Sequence, residues 1–187
     1  IDMLTGHFIG AGLGRVGRQA ASGLHEAKVP FVALDTDIRA VDQAIERGEF
    51  GLYGDATTEE SLKRAGIERA KGLIVTTESD ATNLFVIMSA RQLNPKLFIV
   101  SRAGDEATVG KLLRAGADRA MSPYAVGGRR LAHMMLSPRV VDFFETALKA
   151  GDRTLNIGDI LVTQGMSAAG RTLAGLRSTR LTDTIKS

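Results

Sequence analysis

Three spaced glycines, in the run Gly12-Leu13-Gly14-Arg15-Val16-Gly17, stand between a short apolar segment and a helical pattern. The apolar residues of 7–11 read as a buried strand. Over 15–27, Val16, Ala20 and Leu24 recur on one helical face. A strand, a G-x-G-x-x-G turn and a helix in immediate succession demand glycine for three separate reasons. Gly12 permits the tight turn, Gly14 lets a phosphate-bearing group come close to the backbone, and Gly17 lets the helix lie against the strand. The first N–H groups of such a helix and the positive end of its dipole favour an anion. Gly10 adds another glycine and leaves the register open, and a glycine-rich turn can also serve packing alone.

The pattern that follows repeats the same alternation. Strands are expected over 31–34, 51–53, 72–75, 97–101 and 118–121, and helices over 38–47, 58–65, 80–93 and 106–115, with Gly66 and Gly116 as helix terminators. Alternating β and α elements of this length imply parallel strands with helices on both faces and right-handed crossovers. The expected fold is therefore an α/β, Rossmann-like, doubly wound parallel six-stranded sheet, followed by a crossover helix pair and a partial second lobe. Residues 1–123 read as the nucleotide-binding lobe and 124–150 as a helix-turn-helix segment for dimerisation. Within that segment Ser137-Pro138 opens the second helix. Residues 151–187, with a strand over 155–162 and a short helix over 170–176, read as the start of an incomplete C-terminal lobe.

Composition removes several function classes. The 187 residues are 44% hydrophobic and 24% charged, ordinary for a core-forming chain. There is no cysteine, which excludes disulfides and thiolate metal sites and fits a reducing compartment. No apolar run approaches the ~20 residues of a spanning helix, so no membrane insertion of this chain is expected, and residues 1–6 lack a signal-peptide pattern. With a net charge of +3 and scattered arginines, the basic stripe of a nucleic-acid binder is missing. His7, His25 and His133 are the only histidines. None is expected at a strand carboxyl end, where a dehydrogenase would place its proton relay. No metal-binding or catalytic motif appears, so the expected catalytic set and metal set are both empty.

Candidate binding residues cluster at the expected strand ends. In the glycine loop they are Gly12, Leu13, Gly14, Arg15, Val16 and Gly17. Asp35 ends the second strand 18 residues beyond Gly17, where a carboxylate can hold both ribose hydroxyls of an adenosine and repel a 2′-phosphate. Thr36 adjoins it, and Asp37 competes for the same role. Asp55 and Ala56 follow the third strand and can meet the adenine edge. Thr76 and Thr77 follow the fourth and can reach phosphates or a second nucleoside, with Asp80 and Asn83 in the helix beyond. Asp55 and Asp80 read equally as helix caps. Arg102, at the end of the fifth strand, can neutralise phosphate.

Taken together these stretches resemble the RCK domain, the regulator of potassium conductance, also called KTN or TrkA-N type. The resemblance runs through residues 7–18, Leu34-Asp35-Thr36-Asp37, Gly54-Asp55-Ala56-Thr57 and residues 77–83. It is clearest over 113–124 and Gly127-Gly128-Arg129-Arg130, and it covers about residues 7–148. It implies a cytoplasmic domain at the inner face of the membrane that forms homodimers and higher rings on a potassium channel or transporter pore. It also implies a regulatory ligand, NAD(H) or ATP, ADP or AMP. The helix after Ser137-Pro138 would cross to a partner and give Met134, Met135, Phe143 and Phe144 a surface to cover. A channel regulator is the expected function. A transporter subunit is the alternative, and an NAD-dependent oxidoreductase fragment or a ligand-free assembly module are the readings from other classes.

Overall fold

The computed structural model describes residue 1 and residues 3–136, and residues 1–136 form one compact unit. The expected helix from Ser137, the strand over 155–162 and the helix over 170–176 lie outside the described residues.

Six strands, β1 (Phe8–Ala11), β2 (Phe31–Asp35), β3 (Phe50–Tyr53), β4 (Gly72–Val75), β5 (Phe98–Arg102) and β6 (Arg119–Met121), form one sheet. Its order is β3-β2-β1-β4-β5-β6 and every pairing is parallel. The connecting helices are α1 (Arg15–Glu26), α2 (Ile38–Glu46), α3 (Glu59–Arg64), α4 (Asp80–Leu93) and α5 (Glu106–Arg114), and α6 (Pro123–Leu136) follows β6. This is the doubly wound arrangement expected from the sequence, with its reversal of strand order between β1 and β4.

Side-chain alternation along the strands builds two cores. Val32 and Leu34 of β2 face one side, with Ile9 and Ala11 of β1 and the buried residues of α3, α4 and α5. Phe31 and Ala33 face the other, with Leu13, Ala21 of α1 and Ala40, Val41 and Ala44 of α2. Gly10 belongs to this second layer. A Cβ there would lie 2.3 Å from the Phe31 ring, so glycine at 10 makes room for an aromatic and the turn glycine is Gly12.

The helix starts follow capping chemistry. Asp37, Thr58, Ser79 and Asp105 accept from the amides of Arg39, Ser61, Thr82 and Thr108 at the starts of α2 to α5. Asp55 and Asp80, read as possible caps, lie beside these positions and not on them. A 3-10 turn over Ile67–Arg69, unforeseen in the sequence, follows the left-handed Gly66. No helix among the described residues is long and apolar enough to cross a membrane.

Candidate nucleotide site

The register sets the ends of three strands level. Ala11 pairs with Leu34 on one side and with Val75 on the other. The residues that follow, Gly12, Asp35 and Thr76, therefore emerge side by side at the carboxyl edge, where the strand order reverses. A cleft of about 710 Å³ opens there. Parallel sheets place ligands at such a reversal because the crossovers to the two sides diverge and leave a crevice.

The glycine turn forms the floor of the cleft. Gly12 has φ +97°, and a Cβ on it would come within 2.8 Å of the Thr76–Thr77 backbone. At Gly17 a Cβ would lie 1.9 Å from the Gly12 carbonyl oxygen, so α1 can begin this close to the turn only with glycine there. Gly14 is different: no atom lies within 4 Å of a Cβ built on it, and it is the N-cap of α1 without a side-chain hydrogen bond. The first amides of α1 are thus left to face the cleft. Such amides cradle a pyrophosphate, and the open space over Gly14 admits one.

Asp35 stands at the rim. One carboxylate oxygen accepts from the Leu13 amide and the other from the Asp37 amide at 2.8 Å. Each oxygen retains acceptor capacity for a hydroxyl. Asp37, the competitor, is engaged in capping α2. Asp55 accepts from the amide and hydroxyl of Thr57 at 2.8 and 2.7 Å, and so shapes the turn after β3. Asp55 and Ala56 line the cleft with Gly54, Leu34 and Thr36.

Across the cleft the threonines are structural on their hydroxyl side. Thr76 Oγ1 donates to the Gly12 carbonyl at 2.8 Å, tying the glycine turn to β4. Thr77 Oγ1 is 2.7 Å from Asn83 Oδ1, which also accepts from the Thr77 amide. Asn83 Nδ2 donates to the Arg102 carbonyl. Arg102 Nη1 donates to the Thr77 carbonyl at 2.8 Å, while its Nε is buried without a protein partner.

Twelve of the fifteen residues singled out in the sequence line the cleft: Gly12, Leu13, Gly14, Arg15, Val16, Asp35, Thr36, Asp55, Ala56, Thr76, Thr77 and Arg102. Gly17, Asp80 and Asn83 do not. Gly17 lies under the turn. Asp80 accepts from the Gly104 amide at 2.8 Å and Asn83 is fully buried, so both join the turn after β4 to β5 and hold the wall of the cleft from behind. Arg18, Ala40, Glu78, Thr82 and Tyr124 were not chosen from the sequence as ligand contacts, yet they line it. Tyr124 comes from the first turn of α6, and its hydroxyl accepts from Arg15 Nη2 at 3.3 Å. None of the three histidines lines the cleft. Among the described residues no group of His, Asp or Glu could hold a metal ion.

Residues 8–123 match the TrkA-N domain family. The chain is 41% identical over 148 residues to potassium channel protein 1 of Methanocaldococcus jannaschii, a match covering 78% of this chain and 44% of that protein. It thus spans less than half the length of that relative. Among solved structures it aligns with the TrkA-N domain of the inner membrane protein ybaL from Escherichia coli at TM-score 0.65 and 31% identity, covering 73% of this chain and 98% of that one. It also aligns with the GsuK channel bound to ADP, at TM-score 0.61 and 37% identity over 71% of this chain and 34% of that one. A form of the same channel bound to NAD gives TM-score 0.61 and 35% identity over 76% and 24%. By sequence, sheet order and these likenesses, the chain belongs to the TrkA-N domain family, the family of the potassium-channel RCK domains it resembles.

Proposed function

We propose that this chain is the cytoplasmic ligand-sensing domain of a potassium channel, binding an adenine nucleotide or NAD(H) in the cleft at the β1–β4 reversal. The observation that carries the reading is the alignment of Asp35, the glycine turn and the uncapped start of α1 along one crevice. The ribose would rest on Asp35, the phosphates on the amides over 12–17, and the adenine against Asp55 and Ala56. The channel relatives and the ADP- and NAD-bound GsuK structures support the choice of ligand class and of partner. In this reading the chain pairs with a second copy, the pairs build a ring, and ligand changes the pull of that ring on the pore. A ligand does so only through unequal affinity for the two arrangements. A transporter subunit is the second reading, favoured by the likeness to ybaL of Escherichia coli, which is named a putative cation/proton antiporter.

Titration calorimetry with NAD⁺, NADH, ATP, ADP and AMP tests the site, with Gly14→Asp as the control. Aspartate is a good N-cap and meets no atom at this position, so the variant keeps or slightly raises its melting temperature. Its carboxylate would face the bound phosphates. Micromolar binding of one or more ligands, lost in the variant, is the expected result. Equal binding in both proteins would remove the phosphates from the α1 start.

A further inference from the structure

β3 is an outer strand of the sheet, and its edge is unguarded. Sheet edges commonly discourage pairing with other chains by carrying charge, above all lysine, or proline. The run Phe50-Gly51-Leu52-Tyr53-Gly54 has neither. The opposite edge, β6, is shorter and carries the exposed Arg119. On β3 the exposed side chains are aromatic: Phe50 is 45% and Tyr53 56% accessible, with the exposed Ile45 of α2 beside the strand.

The ladder fixes which backbone groups are open. The Gly54 amide donates to the Asp35 carbonyl at 3.0 Å, and alternate residues of a strand turn to the same neighbour. Phe50, Leu52 and Gly54 therefore turn their N–H and C=O to β2, while Gly51 and Tyr53 turn theirs to the open edge. Side chains alternate as well. Leu52 joins the core with Leu34, and Phe50 and Gly54 share its face. Gly51 and Tyr53 lie on the α2 face, where a Cβ on Gly51 would meet Ile45 and Val41.

We propose that the β3 edge pairs antiparallel with the β3 edge of a second copy of this chain, about a two-fold axis at Leu52. Residues opposite each other in an antiparallel pair share a face, so self-pairing must centre on one residue. Centred on Leu52, Gly51 exchanges both backbone bonds with the partner's Tyr53, and these are the groups turned to the edge. Each aromatic then lies opposite a glycine, Tyr53 over the partner's Gly51 and Phe50 over the partner's Gly54. A ring covering a cross-strand glycine pins the register of such a pair. Centred on Gly51, the ladder would need the Glu49 amide, which donates to the Ala44 carbonyl at 3.0 Å. Centred on Tyr53, it would leave Phe50 uncovered and need the Asp55 carbonyl, which accepts from the Thr58 amide at 3.1 Å. The Leu52 axis also sets the start of each β3, where Arg47 is exposed, beside the end of the other, where Asp55 is exposed. An edge of four residues buries little area, so the contact is weak between free chains. It is separate from any contact through α6, which follows β6 at the opposite edge of the sheet.

The chain has no cysteine, so a single introduced thiol reports on its own surroundings. Opposite residues of a non-hydrogen-bonded antiparallel pair have Cα atoms about 4.5 Å apart, within reach of a disulfide. The whole chain carrying Leu52→Cys, oxidised with diamide, should therefore form a disulfide-linked dimer on non-reducing gels. It should do so about tenfold or more faster than Tyr53→Cys, whose two thiols the register holds beyond the roughly 7 Å limit of Cα separation. Leu52 is buried, so a second measurement leaves the core alone: sedimentation velocity of the wild type and of Tyr53→Lys. The wild type should associate further as its concentration rises past roughly 100 µM, the range of a small interface. Tyr53→Lys should lack that rise while keeping its melting temperature. Cross-linking of Tyr53→Cys as fast as Leu52→Cys would overturn the register and the aromatic–glycine fit. No cross-link at either position, or identical sedimentation of the wild type and Tyr53→Lys, would overturn self-pairing. Slow hydrogen exchange at the Gly51 and Tyr53 amides that is independent of chain concentration would give the edge to a different strand and overturn it too.

Discussion

At the end of β2 the Asp35 carboxylate accepts from the amides of Leu13 and Asp37, so the residue expected to hold a ribose also clasps the glycine turn to the strand beside it. That second duty was invisible in the sequence, because it depends on the level registration of β1 and β2 and not on spacing. Asp35→Ala should therefore do two things: abolish nucleotide binding and lower the melting temperature by about 2–4 °C, the scale for roughly 1 kcal/mol of lost hydrogen bonding. Calorimetry and thermal denaturation of one sample read both, and an unshifted melting temperature would leave Asp35 as a ligand contact alone. Of the three glycines only Gly17 answers a neighbour in the same short motif, whereas Gly12 answers the Thr76–Thr77 backbone after β4 and Gly14 leaves open space. Gly17→Ala, with its Cβ 1.9 Å from the Gly12 carbonyl, should push α1 off the turn and cost about 1–3 kcal/mol in urea unfolding. Asn83 was legible only as a polar residue near the cleft. Whether such a residue faces ligand or framework is decided by β5, and here the Arg102 carbonyl takes it.

Elements were easier to read than contacts. Short apolar runs and the period-3.6 pattern foretold all six strands and the helices up to α6, since a doubly wound sheet writes its burial into every segment. Boundaries moved by a residue or two where caps decided them: Thr58 and Ala65 flank α3 instead of belonging to it. What the pattern could not show is how the far edge is stitched. Arg91 of α4 donates to the carbonyls of Pro95, Leu97 and Gly116 and to Asp118, joining α4 to both ends of the β5–α5–β6 unit. Lysine lacks the planar fork for four such partners, so Arg91→Lys should destabilise the fold by about 1–3 kcal/mol in urea unfolding. The same knot carries a pH dependence. Burial acts to raise the Asp118 pKa, yet the Ile99 amide and Arg91 together outweigh it and hold the carboxyl below its usual value of 3.8. A depressed folded-state pKa means stability that is present above the unfolded value and lost as pH falls through the folded one. Unfolding measured between pH 6 and pH 2 should show that loss beginning near pH 4, and Asp118→Asn should flatten it. An unchanged acid limb in the variant would assign it to other carboxylates.

On the scale of the whole molecule, the cleft and α6 are joined through Tyr124, whose hydroxyl and ring engage Arg15 and Arg102. Beyond that first turn α6 buries none of its residues, and Leu131, Met135 and Leu136 are 66%, 83% and 81% exposed. An apolar row of this kind, on the helix that also touches the ligand cleft, suits a contact between copies that nucleotide can bias. Thermodynamic linkage makes the expectation strict. If nucleotide changes the dimer dissociation constant by some factor, dimerisation must change nucleotide affinity by the same factor. Sedimentation equilibrium should show a dimer that Leu131→Ser combined with Met135→Ser converts to monomer. These residues lie outside the cleft, so the monomeric variant should still bind nucleotide, with an affinity displaced from the wild type by the factor nucleotide exerts on dimerisation. Tyr124→Phe keeps the ring beneath Arg102 and removes the acceptor for Arg15. It should shrink that factor toward one while leaving the dimer intact. A coupling factor unchanged in Tyr124→Phe would place the communication elsewhere on α6, and a factor of one in the wild type would separate nucleotide sensing from dimer assembly altogether.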